Sequence, residues 1–144
     1  MGEGHQRVRC EARLSMTRLA TVGITMGDPA GIGPEVICKA LAEMSAEERA
    51  ATVVFGTHSV LERASTLTER QLRFASASAS VEHGSVRVAN SELPRGEVAQ
   101  GRMCAEGGAA AYAYIFDAVQ AALRKDIAAI VTAPINKEAL HAAG

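Results

Sequence analysis

The stretch GITMGDPAGIGPE, Gly23–Glu35, decides how the chain is read: it sets four glycines and two prolines into thirteen residues, directly within an apolar, β-branched run that starts at Leu19. Glycine in a folded interior costs roughly 0.5–1 kcal/mol relative to alanine, so such a cluster implies a backbone shape, or a close approach, that side chains would forbid. Behind it, Val36, Ile37, Ala40, Leu41 and Met44 fall on one helical face, and Glu35, Lys39, Glu43 and Glu47 on the other. Pro34 stands where a helix can begin. The reading is a strand, a glycine-rich corner and an amphipathic helix.

Working outward, ATVVFG up to Gly56 reads as a second strand, and THSVLERAST as a helix with Thr57 as its N-cap. QLRFA and SVRVAN are weaker strand candidates, separated by the small, polar SASAS. In the alanine-rich segment that follows, Tyr112, Phe116, Val119 and Leu123 form a stripe expected to face the core, with Asp117, Gln120 and Arg124 toward solvent. IAAIVTA, ending at Ala133, is suited to a buried parallel strand, and Pro134 is placed to open a further helix. This alternation favours a parallel sheet flanked by helices, with both strand-to-helix corners at its carboxyl edge, where open α/β sheets bind ligands.

Chemically, a helix that starts straight after a strand presents free N–H groups and the positive end of its dipole, which suits phosphate or carboxylate. Gly31 and Gly33 would let backbone approach such an anion. Asp28, followed by Pro29, has two roles open to it: hydrogen bonds that form the turn, or acceptance from a substrate hydroxyl. Lys137 in the first turn of the last helix is either solvated and eased by Glu138 or offset by a bound anion, and Thr132 and Asn136 are either capping groups or ligand contacts. No Gly-Lys-Ser/Thr follows the glycines and no G-x-G-x-x-G is present, so the nucleotide class is not legible.

Composition narrows the rest. At 144 residues, 48% hydrophobic and with a net charge of -1, the chain has the makeup of a soluble globular domain and no bulk charge to attract nucleic acid or anionic membrane. The segment before Thr17 is too polar for a signal-peptide core, which makes a cytoplasmic location the expectation. Residues 1–17 read as a disordered or non-native extension, with Met16 a second candidate start, and 18–144 as the folded part. Cys10, Cys38 and Cys104 lack paired spacing, and His5, His58, His83 and His141 form no metal-ligand pair.

GITMGDPAGIGPEV and IVTAPINKEALHAAG, with AEGGAAAYAYIFDAV between them, resemble the signature segments of the 4-hydroxythreonine-4-phosphate dehydrogenase family, over about Thr21 to Gly144. The resemblance implies a three-layer α/β sandwich of the isocitrate and isopropylmalate dehydrogenase type, incomplete in this chain, since family members are more than twice as long. It implies NAD(P)-dependent oxidation of the phosphorylated hydroxy acid with loss of carbon dioxide, in pyridoxal 5'-phosphate biosynthesis. A homodimer and a divalent metal (Zn, Mg or Co) belong to the same expectation, with the metal ligands outside this chain. Two alternatives accompany it: a 4-phospho-D-threonate or erythronate dehydrogenase of sugar-acid catabolism, and a noncatalytic remnant that binds a phosphorylated ligand. Gly27, Asp28, Pro29, Gly31 and Gly33 match the first signature, and Thr132, Pro134, Asn136 and Lys137 the second. Of these, Asp28, Gly31, Gly33, Thr132, Asn136 and Lys137 are the expected cleft residues. No catalytic residue is assigned, and the fragment alone is expected to be inactive.

Overall fold

In a computed structural model, residues 19–78, 82–90, 93 and 98–144 are described; the expected extension over 1–17 lies outside them. The elements run β1 (Val22–Thr25), α1 (Gly33–Glu43), α2 (Ala46–Ala50), β2 (Thr52–Gly56), α3 (His58–Leu67), β3 (Phe74–Ser76), β4 (Val86–Asn90), α4 (Ala105–Leu123), β5 (Ala129–Thr132) and α5 (Lys137–Ala143). The five strands form one sheet in the order β3-β4-β2-β1-β5, every pair parallel. Both weaker strand candidates are thus real strands.

Topology follows from handedness. The chain moves one way across the sheet through α1 and α3 to β3, steps back to β4, and crosses through α4 to place β5 on the far side of β1. Right-handed crossovers put helices on opposite faces when the direction reverses, which gives three layers and a switch point between β1 and β5. Among the described residues, no helix is long and apolar enough to cross a membrane.

The core joins Met26, Ile37, Leu41, Val54, Leu61, Val86 and Val88 to Ala110, Tyr114 and Ala118 of α4. Three burial expectations are overturned. Val36 of α1 is 45% exposed and Ala40 is exposed as well, while Cys38 takes the inner position beside Ile37 and Leu41. On α4 the stripe is reversed: Tyr112, Phe116, Val119 and Leu123 are exposed, and Gly107, Gly108, Ala110, Ala111, Tyr114, Ala118 and Ala121 are buried. The reason lies at Gly108, where an added Cβ would stand 2.0 Å from the Ala139 carbonyl oxygen. A crossing this close needs small residues where the helices meet, and the buried face of α4 is small apart from Tyr114. Finally, β5 is exposed along its whole length, and among the described residues it pairs only with β1.

Candidate functional site

All strands being parallel, the corners after β1 and β5 do share the carboxyl edge, and they touch. The Met26 N–H donates to the Phe55 carbonyl at 2.9 Å, the Ala133 N–H to Thr25 at 3.0 Å, and the Asp28 N–H to Pro134 at 3.1 Å. Gly27 has φ +72, and a Cβ there would lie 2.3 Å from the Pro134 carbonyl oxygen. A Cβ on Gly33 would meet the Met26 carbonyl oxygen at 2.3 Å, while one on Gly31 would sit 3.4 Å from that of Asp28. Gly27 and Gly33 therefore serve close approach of the chain to itself, whereas a Cβ on Gly31 would make ordinary contact. That reading was available from composition, but the partner of the approach was not.

Asp28 is 4% exposed, and its Oδ1 accepts from the Ala30 N–H at 2.9 Å, which is the turn-forming role. The same oxygen lies 2.8 Å from where a Cβ on Gly107 would stand, so the carboxylate rests against the first turn of α4. A helix N-terminus favours negative charge, and Asp28 supplies it. Deeper along α4, Tyr114 Oη and Thr57 Oγ1 are 2.7 Å apart. Burial pushes the Tyr114 phenol up to about 12, the Thr57 hydrogen bond works against this, and the charge of Asp28 adds to it. Thr57 holds the N-cap position of α3 as expected, yet no hydrogen bond from its side chain caps the helix. Thr25 Oγ1, at the end of β1, is buried with no hydrogen-bond partner among the described residues.

The helix starts differ from the anion-cradle expectation. Pro34 does open α1, where Glu35 places a carboxylate in the first turn. Gln100 Nε2 donates to the Gly31 carbonyl at 2.9 Å and to Glu35 Oε1 at 3.3 Å, so the segment before α4 lies over this corner. The last helix begins at Lys137 and not at Pro134, because Asn136 is its cap: Oδ1 accepts from the N–H groups of Glu138 (3.0 Å) and Ala139 (3.1 Å). Thr132 and Lys137 are exposed at this edge and Asn136 is half-buried. The structure thus joins Asp28 to the second corner through backbone, sets Gly33 against Ala133, keeps Gly31 within the first corner, and leaves Thr132 and Lys137 as accessible groups.

Sequence reasoning passed over Cys104 and Gly107. Cys104 caps α4 by accepting from the Gly107 N–H at 3.4 Å, and Gly107 makes room for Asp28. The pair of adjacent glycines inside a helical segment was the available signal. Among the described residues, no group of three or more His, Cys, Asp or Glu side chains converges as a metal site.

Comparison with known proteins extends this picture. Residues 48–144 match the family model of the pyridoxal phosphate biosynthetic protein PdxA. The D-threonate 4-phosphate dehydrogenase of Salmonella typhimurium is 45% identical over 130 residues, covering 86% of this chain and 39% of that protein. The 4-hydroxythreonine-4-phosphate dehydrogenase of Trichlorobacter lovleyi is 33% identical over 129 residues, covering 85% and 38%. In structure, a 4-hydroxythreonine-4-phosphate dehydrogenase from Burkholderia phymatum superposes with a TM-score of 0.79 at 40% identity, covering 88% of this chain and 39% of that one. The chain therefore spans about two-fifths of the length of the relatives it matches. With the sheet order, the two corners and the sequence match in agreement, the chain belongs to the PdxA family of pyridoxal phosphate biosynthetic proteins.

Proposed function

We propose that this chain forms the N-terminal wall of a cytoplasmic, homodimeric, NAD(P)-dependent dehydrogenase that oxidises a 4-phosphorylated four-carbon hydroxy acid, with loss of carbon dioxide when the substrate is 4-hydroxythreonine 4-phosphate. The observation that carries this reading is the pair of touching strand-to-helix corners at the β1/β5 switch point, in a chain whose relatives are named as dehydrogenases of such acids. Asp28, Gly31 and Gly33 shape the wall, and Thr132, Asn136 and Lys137 face the substrate, with Lys137 meeting its negative charge. A bound nicotinamide would supply hydride-accepting chemistry and a divalent metal Lewis acidity; no ligand for the metal is assigned among the described residues of this chain.

Two substrates fit. The family model speaks for 4-hydroxythreonine 4-phosphate and pyridoxal phosphate biosynthesis. The identity of 45% to a D-threonate 4-phosphate dehydrogenase, against 33% to the 4-hydroxythreonine enzyme from Trichlorobacter lovleyi, speaks for the sugar acid. Equilibrium dialysis of the 144-residue protein against each acid tests the wall, and NADH formation by product purified from the source cells tests the reaction. Saturable binding that Lys137→Ala weakens about tenfold is expected, as for loss of one charge-assisted contact. Binding without turnover by the native product would leave the noncatalytic reading standing; absence of binding by either acid would remove the cleft assignment.

A further inference from the structure

The opposite edge of the sheet carries a second concentration of chemistry. Arg49 precedes β2, Arg70 and Arg73 precede β3, and His83 and Gly84 precede β4. In a parallel sheet these approach segments share the amino edge, and a cavity of about 480 Å³ opens among them, with Glu69 also on its wall. Arg49 is held in place: its Nη1 donates to the carbonyls of Leu41 (3.3 Å) and Met44, near the C-terminal end of α1, where positive charge is favoured. Its Nε is buried and has no hydrogen-bond partner among the described residues. Its Nη2 is the nearest atom, at 4.0 Å, to where a Cβ on Gly84 would stand, and Gly84 has φ +86. The backbone of the β3–β4 connection thus passes close to a guanidinium that is fixed but incompletely bonded.

Among the described residues, the other two arginines have only loose counterions. Arg70 and Glu43 approach to 3.7 Å, and Arg73 and Glu82 to 3.8 Å, through exposed side chains. These separations exceed hydrogen-bond length, and ion pairs of this kind are weak. A ligand with better acceptor geometry would displace them.

We propose that this cavity binds a phosphate group through Arg49, Arg70 and Arg73. Guanidinium forks match phosphate oxygens, and a phosphate offers three of them where a carboxylate offers two. Because Glu43, Glu69 and Glu82 balance the three arginines in formal charge, binding rests on short contacts and not on long-range attraction. Its affinity is therefore modest, and at constant ionic strength it discriminates phosphate from chloride. This inference does not depend on the dehydrogenase reading.

The test is a nuclear magnetic resonance titration of the whole chain with sodium phosphate, chloride being exchanged to hold ionic strength. It reads the amides of His83 and Gly84 and the Nε–H of Arg49. Saturable shifts are expected, with affinity lowered about fivefold or more in Arg70→Gln and in Arg73→Gln, as for loss of a charge-assisted contact. Arg63→Gln, at a site whose guanidinium meets Gln100 instead, should leave the affinity unchanged. A parallel titration with phenyl phosphate distinguishes the sources: tighter binding identifies a phosphate monoester, weaker binding the free ion, and saturation by either supports the site. Shifts that never saturate, or an affinity in both Arg70→Gln and Arg73→Gln equal to that of the unsubstituted chain, would overturn it.

Discussion

At Gly27 the backbone sits at φ +72 with the Pro134 carbonyl where a Cβ would go, while Gly101 has φ +71 and nothing within 4 Å. The two positions separate conformational strain from steric conflict. Gly101→Ala should cost about 1 kcal/mol, the left-handed penalty alone. Gly27→Ala adds a clash against backbone and should cost at least about 3 kcal/mol, read as a drop in the urea midpoint. Tyr114 and Cys38 govern the alkaline limit. Burial pushes Cys38 up to about 11, with the charge of Glu35 adding to it, and Tyr114 up to about 12. Both acids ionise more readily in the unfolded chain, whose values are 9.0 and 10.0. Unfolding therefore releases protons, and stability present below pH 9 declines as pH rises through 9–11 for the thiol and 10–12 for the phenol. Urea midpoints measured against pH should lose the upper part of that decline in Tyr114→Phe; an identical profile in the variant would show that the phenol titrates freely.

Among the elements, α4 shows where sequence reading succeeds and where it stops. Its existence and solvent-side charges were legible from periodicity, as were the Pro34 helix start and the strands, β3 and β4 only weakly. Which apolar face turns inward was not, because hydropathy ranks Phe116 above Ala118, whereas the crossing with α5 at Gly108 admits only small residues. Phe116 stacks on Tyr112 with ring centroids 6.4 Å apart, outside the core. Phe116→Ala should accordingly cost no more than about 1 kcal/mol, against about 3–5 kcal/mol for Tyr114→Ala. Equal losses in thermal unfolding would restore the inward stripe. The candidate site was half legible: Asp28 was weighed as a turn former and is one, and both corners lie where a parallel sheet requires. The Asp28–Gly107 contact was invisible because it joins segments far apart in the chain, and no local pattern encodes it.

For the whole molecule, β5 is the unusual feature. Its sequence reads as a buried parallel strand, yet Ile130 and Val131 are 36% and 53% exposed, and among the described residues one side of its ladder has no pairing strand. On the α1 face, Val36, Ala40 and Met44 stand opposite Ile24 and Val131 across an apolar groove of about 520 Å³. Such an edge is a template for pairing with another chain. Sedimentation of the 144-residue protein should show concentration-dependent association, which Val131→Lys suppresses with little effect on the unfolding midpoint. A monomer at all concentrations would show that the edge is inert.

The position of β1 between β2 and β5 has a consequence for synthesis. The ribosome delivers Val22–Thr25 early, and β2 and β4 can extend the sheet on one flank while Ala129–Thr132 are still unmade. The other flank of β1 then waits for more than 100 residues of translation, the kind of non-local pairing that slows folding and leaves strand edges open to misassembly. Proteolysis of stalled nascent chains would detect that interval as a sheet protected on its β2 side before β5 is made.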